Sequence, residues 1–514
     1  MIFTTPEQMR FIESVSDKTA LSYGKLMDNA ASEVTHLITM IMNEIDVTDG
    51  IVILCGHGNN AADGFTVAKN LADYGVPLSV VLTDGDPDSV LAINRYCEMG
   101  NEKNIEVLNL NDNIDKAFSR FSSAAIIVDA VFGIGFRGDA LPPAVKACFS
   151  FVKRCSAIKI AIDVPSGGNC LNGEADENTL QCDYTVTFSY KKIGMLSEPL
   201  KSLCGEIIVS NIGLSKNLFE GLEFVAAEVI EDDISQLFPE RKANSHKGDF
   251  GRVLNIAGSN CMSGAAALST LSALRSGAGL VRLASTETVI NRLASSIFEA
   301  TYLPLAENKD GLISDNTLPD ILTAAKSMTA ISIGSGLGIS DSTKKIVYEL
   351  ITNADCPIIL DADGINCLVD NIDIIKNTKN KLIITPHAAE LTRIHKASGI
   401  NCDTDRLSIA IALSKAFKIV VVAKGSPTFI VGDGKVLVCT LGNPGLSKGG
   451  SGDVLTGIIA GFTAQGLSPF DAAAAGAYVH GLAADLVAEK SSKIGMLPYD
   501  VINELPFVFK RWNR

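Results

Sequence analysis

Basic residues are in deficit. The 514-residue chain carries 44 Lys and Arg against 58 Asp and Glu, a formal net charge of −14. An acidic surface of that kind argues against a nucleic-acid partner. Long apolar runs are missing as well, none approaching the length that spans a bilayer, so no membrane partner is expected. The N-terminus, MIFTTPEQMRFIESV, lacks the basic-then-apolar order of a secretory signal, and the expected location is cytoplasmic. No C-x-x-C pair occurs among the twelve cysteines, which stand singly at positions such as Cys55, Cys97, Cys261 and Cys439. Structural zinc is therefore not expected, and cysteines inside apolar runs read as small buried thiols in a reducing compartment. Short-period repeats and low-complexity segments are absent.

What is present is a globular composition, 47% apolar and 20% charged with 44 glycines. At roughly 150 residues per domain, the length suits two large domains or three ordinary ones. The first half alternates helical stretches with short strand-like runs: IVILCG, PLSVVLT, AAIIVDA, KIAIDV, CDYTVTF and GEIIVSNIGL. Periodicity then fades through EDDISQLFPERKANSHKGD, which contains Pro239. It resumes at RVLNIAG, a small-residue helix from Ser263 to Ser276, VRLAS, AISIGS, PIILDAD, LIITPH and IVVVAKG, and ends in a Gly-rich loop and two Ala-rich helices. This pattern predicts two α/β domains with parallel sheets, residues 1–215 and 246–514, joined by a boundary region at 216–245. The apolar Ala-rich C-terminal helices suggest a homo-oligomer.

In a parallel sheet, ligands meet the loops after the strands' carboxyl ends. After IVILCG comes GHGNNAADGF, which reads equally as a ligand loop or as an ordinary turn into a helix. Asp129 ends AAIIVDA and precedes a second glycine loop, VFGIGFRGD; Asp163 ends KIAIDV and precedes PSGGN. Three such strand ends converge at one rim, and a buried carboxylate there needs a donor or a cation.

In the second half, GNPGLSKGGSGDVLTGIIAGFTAQG (Gly442 to Gly466) places glycines just before an apolar helix. Gly449, Gly450, Ser451 and Gly452 then leave N–H groups free for an anion at the positive end of the helix dipole. Asp453, in the first turn, is suited to take a proton from a hydroxyl attacking phosphorus, or simply caps the helix. His387 in TPH also reads as a helix start. Asp361 and Asp363 in LDADG read as a metal pair or as strand-end turn formers. Lys192 in FSYKKIG and Lys247 in HKGDFG are candidate charges near a site or solvated surface lysines; His57 and His480 read as packed or capping histidines.

Taken in order, G-x-G-N-N-x-x-D-G, V-D-A-x-F-G-x-G and D-x-P-S-G resemble the N-terminal epimerase domain of the NAD(P)H-hydrate repair enzymes. G-G-S-G-D resembles the signature of ribokinase-like kinases, and NSHKGDFGRVLNIAGS, MSGAAALSTLSALRSGAGLV, IGSGLG, ILDADG, TPHAAELTRI and VVAKGSPTFI narrow it to the ADP/ATP-dependent NAD(P)H-hydrate dehydratases. The resemblance covers nearly the whole chain. It implies an α/β chain with an N-terminal Rossmann-like three-layer sandwich and a C-terminal ribokinase-like domain.

The resemblance puts Asn59, Asn60, Ala61, Ala62 and Asp63 at a substrate loop. Gly133, Ile134, Gly135, Phe136, Arg137, Gly138 and Asp139 fall in a phosphate-contacting loop, with Asp163 as acid/base. It implies a potassium ion among Asn60, Asp129 and Ser166. In the second half it puts Lys424, Gly425, Ser426, Pro427, Thr428 and Gly452 at an adenine nucleotide, ADP with Mg²⁺, and Ala265, Gly336, His387 and Asp453 at the hydrate. The implied reactions are interconversion of R and S hydrates and phosphorylation of the C6 hydroxyl of the S form. Phosphate then leaves, the nicotinamide double bond returns, and AMP is the other product. The sequence departs from the family at Ala61-Ala62, where two glycines are usual, at Gly168-Asn169 for Leu-Asp, at Ser335 for Pro and at Ala388-Ala389 for Pro-Gly. Each of the two alanines at 61 and 62 adds a methyl where backbone would approach the ligand. The alternative is a ribokinase-like kinase of a vitamin alcohol with a non-catalytic N-terminal nucleotide-binding module.

Overall fold

The aliphatic and β-branched runs of the first half become strands in the computed structural model, which describes residues 1–45, 47–137, 140–238, 240–379 and 381–512. These are β1 (Ile2–Thr4), β2 (Ile51–Cys55), β3 (Leu78–Leu82), β4 (Ile105–Asn109), β5 (Ile126–Ala130), β6 (Ile158–Ile162), β7 (Tyr184–Phe188), β8 (Lys191–Lys192) and β9 (Glu206–Ser210). Seven of them form a parallel sheet in the order β4-β3-β2-β5-β6-β7-β9, while β1 pairs with β8. Every residue of β2, β3 and β5 is buried, as strands covered on both faces must be. Alternate residues feed two cores: Ile51, Ile53 and Cys55 on one face, Val52 and Leu54 on the other. That is the three-layer arrangement. From β2 the chain runs outward through β3 and β4, then returns to place β5 on the other side of β2, so the order reverses between β2 and β5. Such a reversal opens a crevice at the carboxyl ends of the strands.

The second half repeats the plan with β10 (Ala226–Glu228), β11 (Arg252–Ile256), β12 (Leu280–Thr286), β13 (Thr301–Leu305), β14 (Ala330–Ile333), β15 (Ile358–Leu360), β16 (Leu382–Ile384), β17 (Val420–Ala423), β18 (Thr428–Gly432) and β19 (Lys435–Cys439). They run β13-β12-β11-β14-β15-β16-β17-β18-β19-β10, and the reversal lies between β11 and β14. Strands β18 and β19 form an antiparallel hairpin that the sequence reading did not anticipate. Its turn is Asp433-Gly434, both at positive φ (50° and 75°), the pairing that matches a two-residue hairpin turn.

Contacts divide the chain into Met1–Val225 and Ala226–Arg514. The boundary region expected at 216–245 is therefore split between the units. Ala226–Glu228 is a strand in register with Val436–Val438, and Phe238 is buried and stacks on Trp512 at 5.6 Å between centroids. Its acidic residues Glu231, Asp232 and Asp233 occupy the first turn of a short helix, where the dipole favours them, and Glu231 accepts from Trp512 Nε1 at 2.7 Å. The Ala-rich helix Pro469–Lys490 also departs from expectation. Most of its alanines are buried in the core of their own unit. A third helix, Pro498–Arg511, follows it. All twelve cysteines are free and eight are buried, but Cys97 and Cys261 are exposed. No helix among the described residues is long and apolar enough to cross a membrane.

Candidate functional sites

In the N-terminal unit the loops after β2, β5 and β6 meet around a cavity of about 770 Å³. Asn59, Asn60 and Asp63 line it from the first turns of the helix Asn59–Leu71, whose start at Gly58 has no side-chain cap and so leaves N–H donors free. Gly133, Ile134, Gly135 and Phe136 line it from the loop after β5. Arg137 turns away toward Glu7 at 3.5 Å, while Gly138 and Asp139 lie outside the described residues. Ala61 and Ala62 do not reach the cavity. Both are fully buried in the core beneath the helix, so their methyls crowd no ligand.

Asp163 lines the cavity at the end of β6, with a left-handed backbone (φ 67°) that few non-glycine residues adopt. Its Oδ1 accepts from Thr187 Oγ1 at 3.1 Å, from Phe188 N at 3.4 Å, and from the Lys192 ammonium. Lys192 is 1% exposed, so the alternative of a solvated strand end is wrong: it is the buried counter-charge of Asp163. Deeper in, Asp129 Oδ1 accepts from Ser166 Oγ at 2.5 Å and Val131 N at 3.2 Å, and its Oδ2 from Ser166 N at 2.8 Å. Burial still pushes the Asp129 carboxyl up to about 6, against those hydrogen bonds. Among the described residues Asn60 Nδ2 and Asp63 Oδ1 are buried without a partner, and burial, then Asp163 and Glu13, push the Asp63 carboxyl well above its ordinary range. His57 also faces the cavity, 3.3 Å from Asp84. The helix Pro6–Thr19, which no motif singled out, closes one wall with Arg10 and Glu13; Arg10 Nη2 donates to Ile134 O at 3.2 Å.

In the C-terminal unit, the helix Ser451–Ala464 starts from Gly450 at φ 101°, again without a side-chain cap. It lies so close to the helix Ser263–Arg275 that a β-carbon on Gly457 would come within 2.0 Å of Ser272 Oγ. At its N-terminus a β-carbon on Gly452 would stand 3.2 Å from Lys424 Nζ and 3.7 Å from Asp361 Oδ2. Asp361, at the end of β15, accepts from Lys424 Nζ at 2.9 Å and Thr385 Oγ1 at 2.7 Å. Burial works against its ionisation, but the Lys424 ammonium overrides it and holds the carboxyl below its ordinary value; the same contact raises Lys424 against its own burial. Asp363 instead accepts from Gly338 N at 2.8 Å.

Asp453 sits in the same place, and burial first, then the Asp361 charge, raise it to about 6, opposed by the nearby Ser335 hydroxyl and Lys424. Ser451 Oγ is buried and unpartnered among the described residues, although buried polar atoms normally find partners, whereas the Ser335 and Thr456 hydroxyls lie against the Asp453 and Asp361 carboxyls and the His480 ring against the Ser451 backbone. Gly336 and Ala265 adjoin, since a β-carbon on Gly336 would lie 2.8 Å from that of Ala265. His387 caps the helix Ala388–Ser398, its Nδ1 accepting from Ala389 N at 3.1 Å. The segment Lys424 to Thr428 is held by Arg406, whose Nη1 donates to Pro427 O at 2.9 Å and Lys424 O at 3.3 Å. Lys247 is exposed on a short turn before β11.

A family model described as NAD(P)H-hydrate dehydratase matches residues 253–507, and one described as YjeF-related protein N-terminus matches 24–194. A bifunctional NAD(P)H-hydrate repair enzyme of Moorella thermoacetica is 34% identical over 492 residues, covering 94% of this chain and 92% of its own. The chain belongs to the bifunctional NAD(P)H-hydrate repair enzymes. The Escherichia coli repair enzyme is 30% identical, covering 88% of this chain and 84% of that one. An ADP/ATP-dependent NAD(P)H-hydrate dehydratase from Bacillus subtilis, co-crystallized with ATP/Mg²⁺, is 32% identical, covers 57% of this chain and 99% of that one, and has a TM-score of 0.46. Repair-enzyme relatives that match both halves in one chain do not favour a vitamin-alcohol kinase with an inert N-terminal module.

Proposed function

We propose that the N-terminal unit interconverts R and S hydrates of NAD(P)H and that the C-terminal unit dehydrates the S form with ADP, releasing AMP and phosphate. The observation that carries the second assignment is one buried cluster: Asp453 beside an uncapped glycine-rich helix start, with Lys424 paired to Asp361 against Gly452. Free N–H groups and a lysine suit the nucleotide phosphates. With its carboxyl near 6, Asp453 is ionised at neutral pH and takes the proton of the C6 hydroxyl as that oxygen attacks the terminal phosphorus. Phosphorylation turns the hydroxyl into a good leaving group; phosphate departs with the C6–O electron pair, a neighbouring C–H proton is lost, and the ring double bond forms. The Ser451 hydroxyl, buried and unpartnered among the described residues at the helix start, is a group a ligand would satisfy. Lys424 to Thr428, steadied by Arg406, serve the adenine nucleotide, and Ala265, Gly336 and His387 the hydrate. Mg²⁺ would travel with the ADP phosphates.

In the N-terminal unit, Asp163 is the acid/base, and Asn59, Asn60, Asp63 and the loop from Gly133 hold the substrate. Asn60, Asp129 and Ser166 fit a potassium ion. The donors are hard oxygens, and Asp129 is a buried carboxyl with no cationic side chain beside it among the described residues. Such an ion would supply positive charge that balances Asp129. The test is to give the full chain hydrated NADH with ADP or ATP and follow NADH absorbance together with free phosphate. Phosphate released one-for-one with NADH is the expected result; a stable phosphorylated product would refute the dehydratase assignment.

A further inference from the structure

Glu13 shares the N-terminal cavity with Asp163 but lives in the opposite environment. The Asp163 carboxylate is met by an ammonium, a hydroxyl and a backbone N–H. Among the described residues no such donor meets the Glu13 carboxyl. Burial dominates its surroundings and the Asp163 charge adds to it, outweighing Lys192 and Arg10, so its carboxyl rises to about 7. Tyr23 and Asp63 feel it from the neighbouring helices. Both Asp63 Oδ1 and Asn60 Nδ2 are buried and, among the described residues, unpartnered at this cavity, which marks it as built for a polar ligand.

Inverting a carbon that bears a hydroxyl and a ring nitrogen requires a proton given to the departing oxygen and another taken from the arriving one. Two carboxyls in one cavity, one flanked by a cation and hydrogen-bond donors and the other set against apolar wall, supply that pair. We propose that Glu13 is the proton donor of the epimerase site and Asp163 its acceptor, an inference that rests on the epimerase reading of this unit. Glu13 gives its proton to the C6 hydroxyl; the C6–O bond breaks, the nitrogen lone pair forms a C=N bond, and water leaves. Water adds to the other face, the C=N electrons return to nitrogen, and Asp163 takes the proton of the entering water. Solvent exchange returns the proton to the partly exposed Glu13 and resets both groups. The cation formed between the two steps faces the carboxyl groups of Glu13, Asp63 and Asp163, of which Glu13 has just given up its proton.

The experiment follows pure R hydrate becoming an R/S mixture in the full chain without nucleotide, across pH and in water labelled with oxygen-18. The wild-type rate falls as pH rises above about 7, because Glu13 loses the proton it must donate, and each inversion brings in one labelled oxygen. Glu13→Gln slows the reaction by about 10²-fold, leaves KM within a few-fold, and abolishes that alkaline fall. Glu13→Asp restores part of the rate, which excludes simple misfolding. The proposal is overturned by a Glu13→Gln chain with wild-type rate, by a slow one that keeps the alkaline fall, or by loss of that fall in Asp63→Asn instead. Inversion without label uptake overturns the bond-breaking order. A wild-type chain that leaves R hydrate untouched refutes the epimerase reading itself, and the proposal with it.

Discussion

The two units place their sites by the same rule and fill them with different groups. Each sheet reverses its strand order once, between β2 and β5 or between β11 and β14, and each crevice lies beside an uncapped helix start. In the N-terminal unit the rim gathers Glu13, Asp63, Asp129 and Asp163, and Lys192 pairs with Asp163. In the C-terminal unit glycines, Lys424 and a free helix N-terminus form an anion cradle that holds Asp453 at its edge. The topology determines where chemistry can happen. The polar residues at the strand ends determine which chemistry: proton exchange at a developing cation in one crevice, phosphoryl transfer in the other.

The sharpest way to separate the units is Asp453→Asn, expected to slow dehydration by about 10²–10⁴-fold while R/S interconversion continues unchanged. The mirror experiment strikes the other unit. Lys192→Met leaves the buried Asp163 without its counter-charge and costs about 3–5 kcal/mol. Because Trp512 is the sole tryptophan and lies in the C-terminal unit, its fluorescence in urea should keep the wild-type midpoint while circular dichroism shows an earlier transition. Within the cradle, Lys424→Ala should weaken ADP by about 1.5–3 kcal/mol, read as a rise in its KM of roughly 10- to 150-fold. Gly457→Ala forces a methyl into Ser272 and should lower stability by about 1–3 kcal/mol, this time moving the Trp512 transition. The smallest effect is in pH. A base near 6 is mostly ionised at pH 7 and mostly protonated at pH 5, so wild-type dehydration should fall about tenfold between them. Epimerisation should instead decline on the alkaline side.

The fold was legible because parallel strands buried on both faces announce themselves as apolar runs, and because Asp129, Asp163 and Asp361 each close such a run. Long-range pairing was not legible. Lys192 meets Asp163 across 29 residues and Lys424 meets Asp361 across 63, and neither spacing is a local signal. Ala61 and Ala62 were misjudged because a loop reading aims their methyls at the ligand, whereas the helix begins at Asn59 and turns them into the core. The Glu390 and Ala389 amides claim the His387 ring as a cap, a choice its TPH context left open. Glu13 carried no motif at all; only the packing of its helix against the cavity identifies it.

The most direct test of two independent sites in one chain is to supply pure R hydrate with ADP to the wild type and to Asp453→Asn. The wild type should return NADH with an equal amount of phosphate. The variant should accumulate S hydrate at the wild-type epimerisation rate and return no NADH. If the variant leaves R hydrate at its spontaneous rate of interconversion, or if both chains return NADH alike, the division of labour described for the two units is wrong.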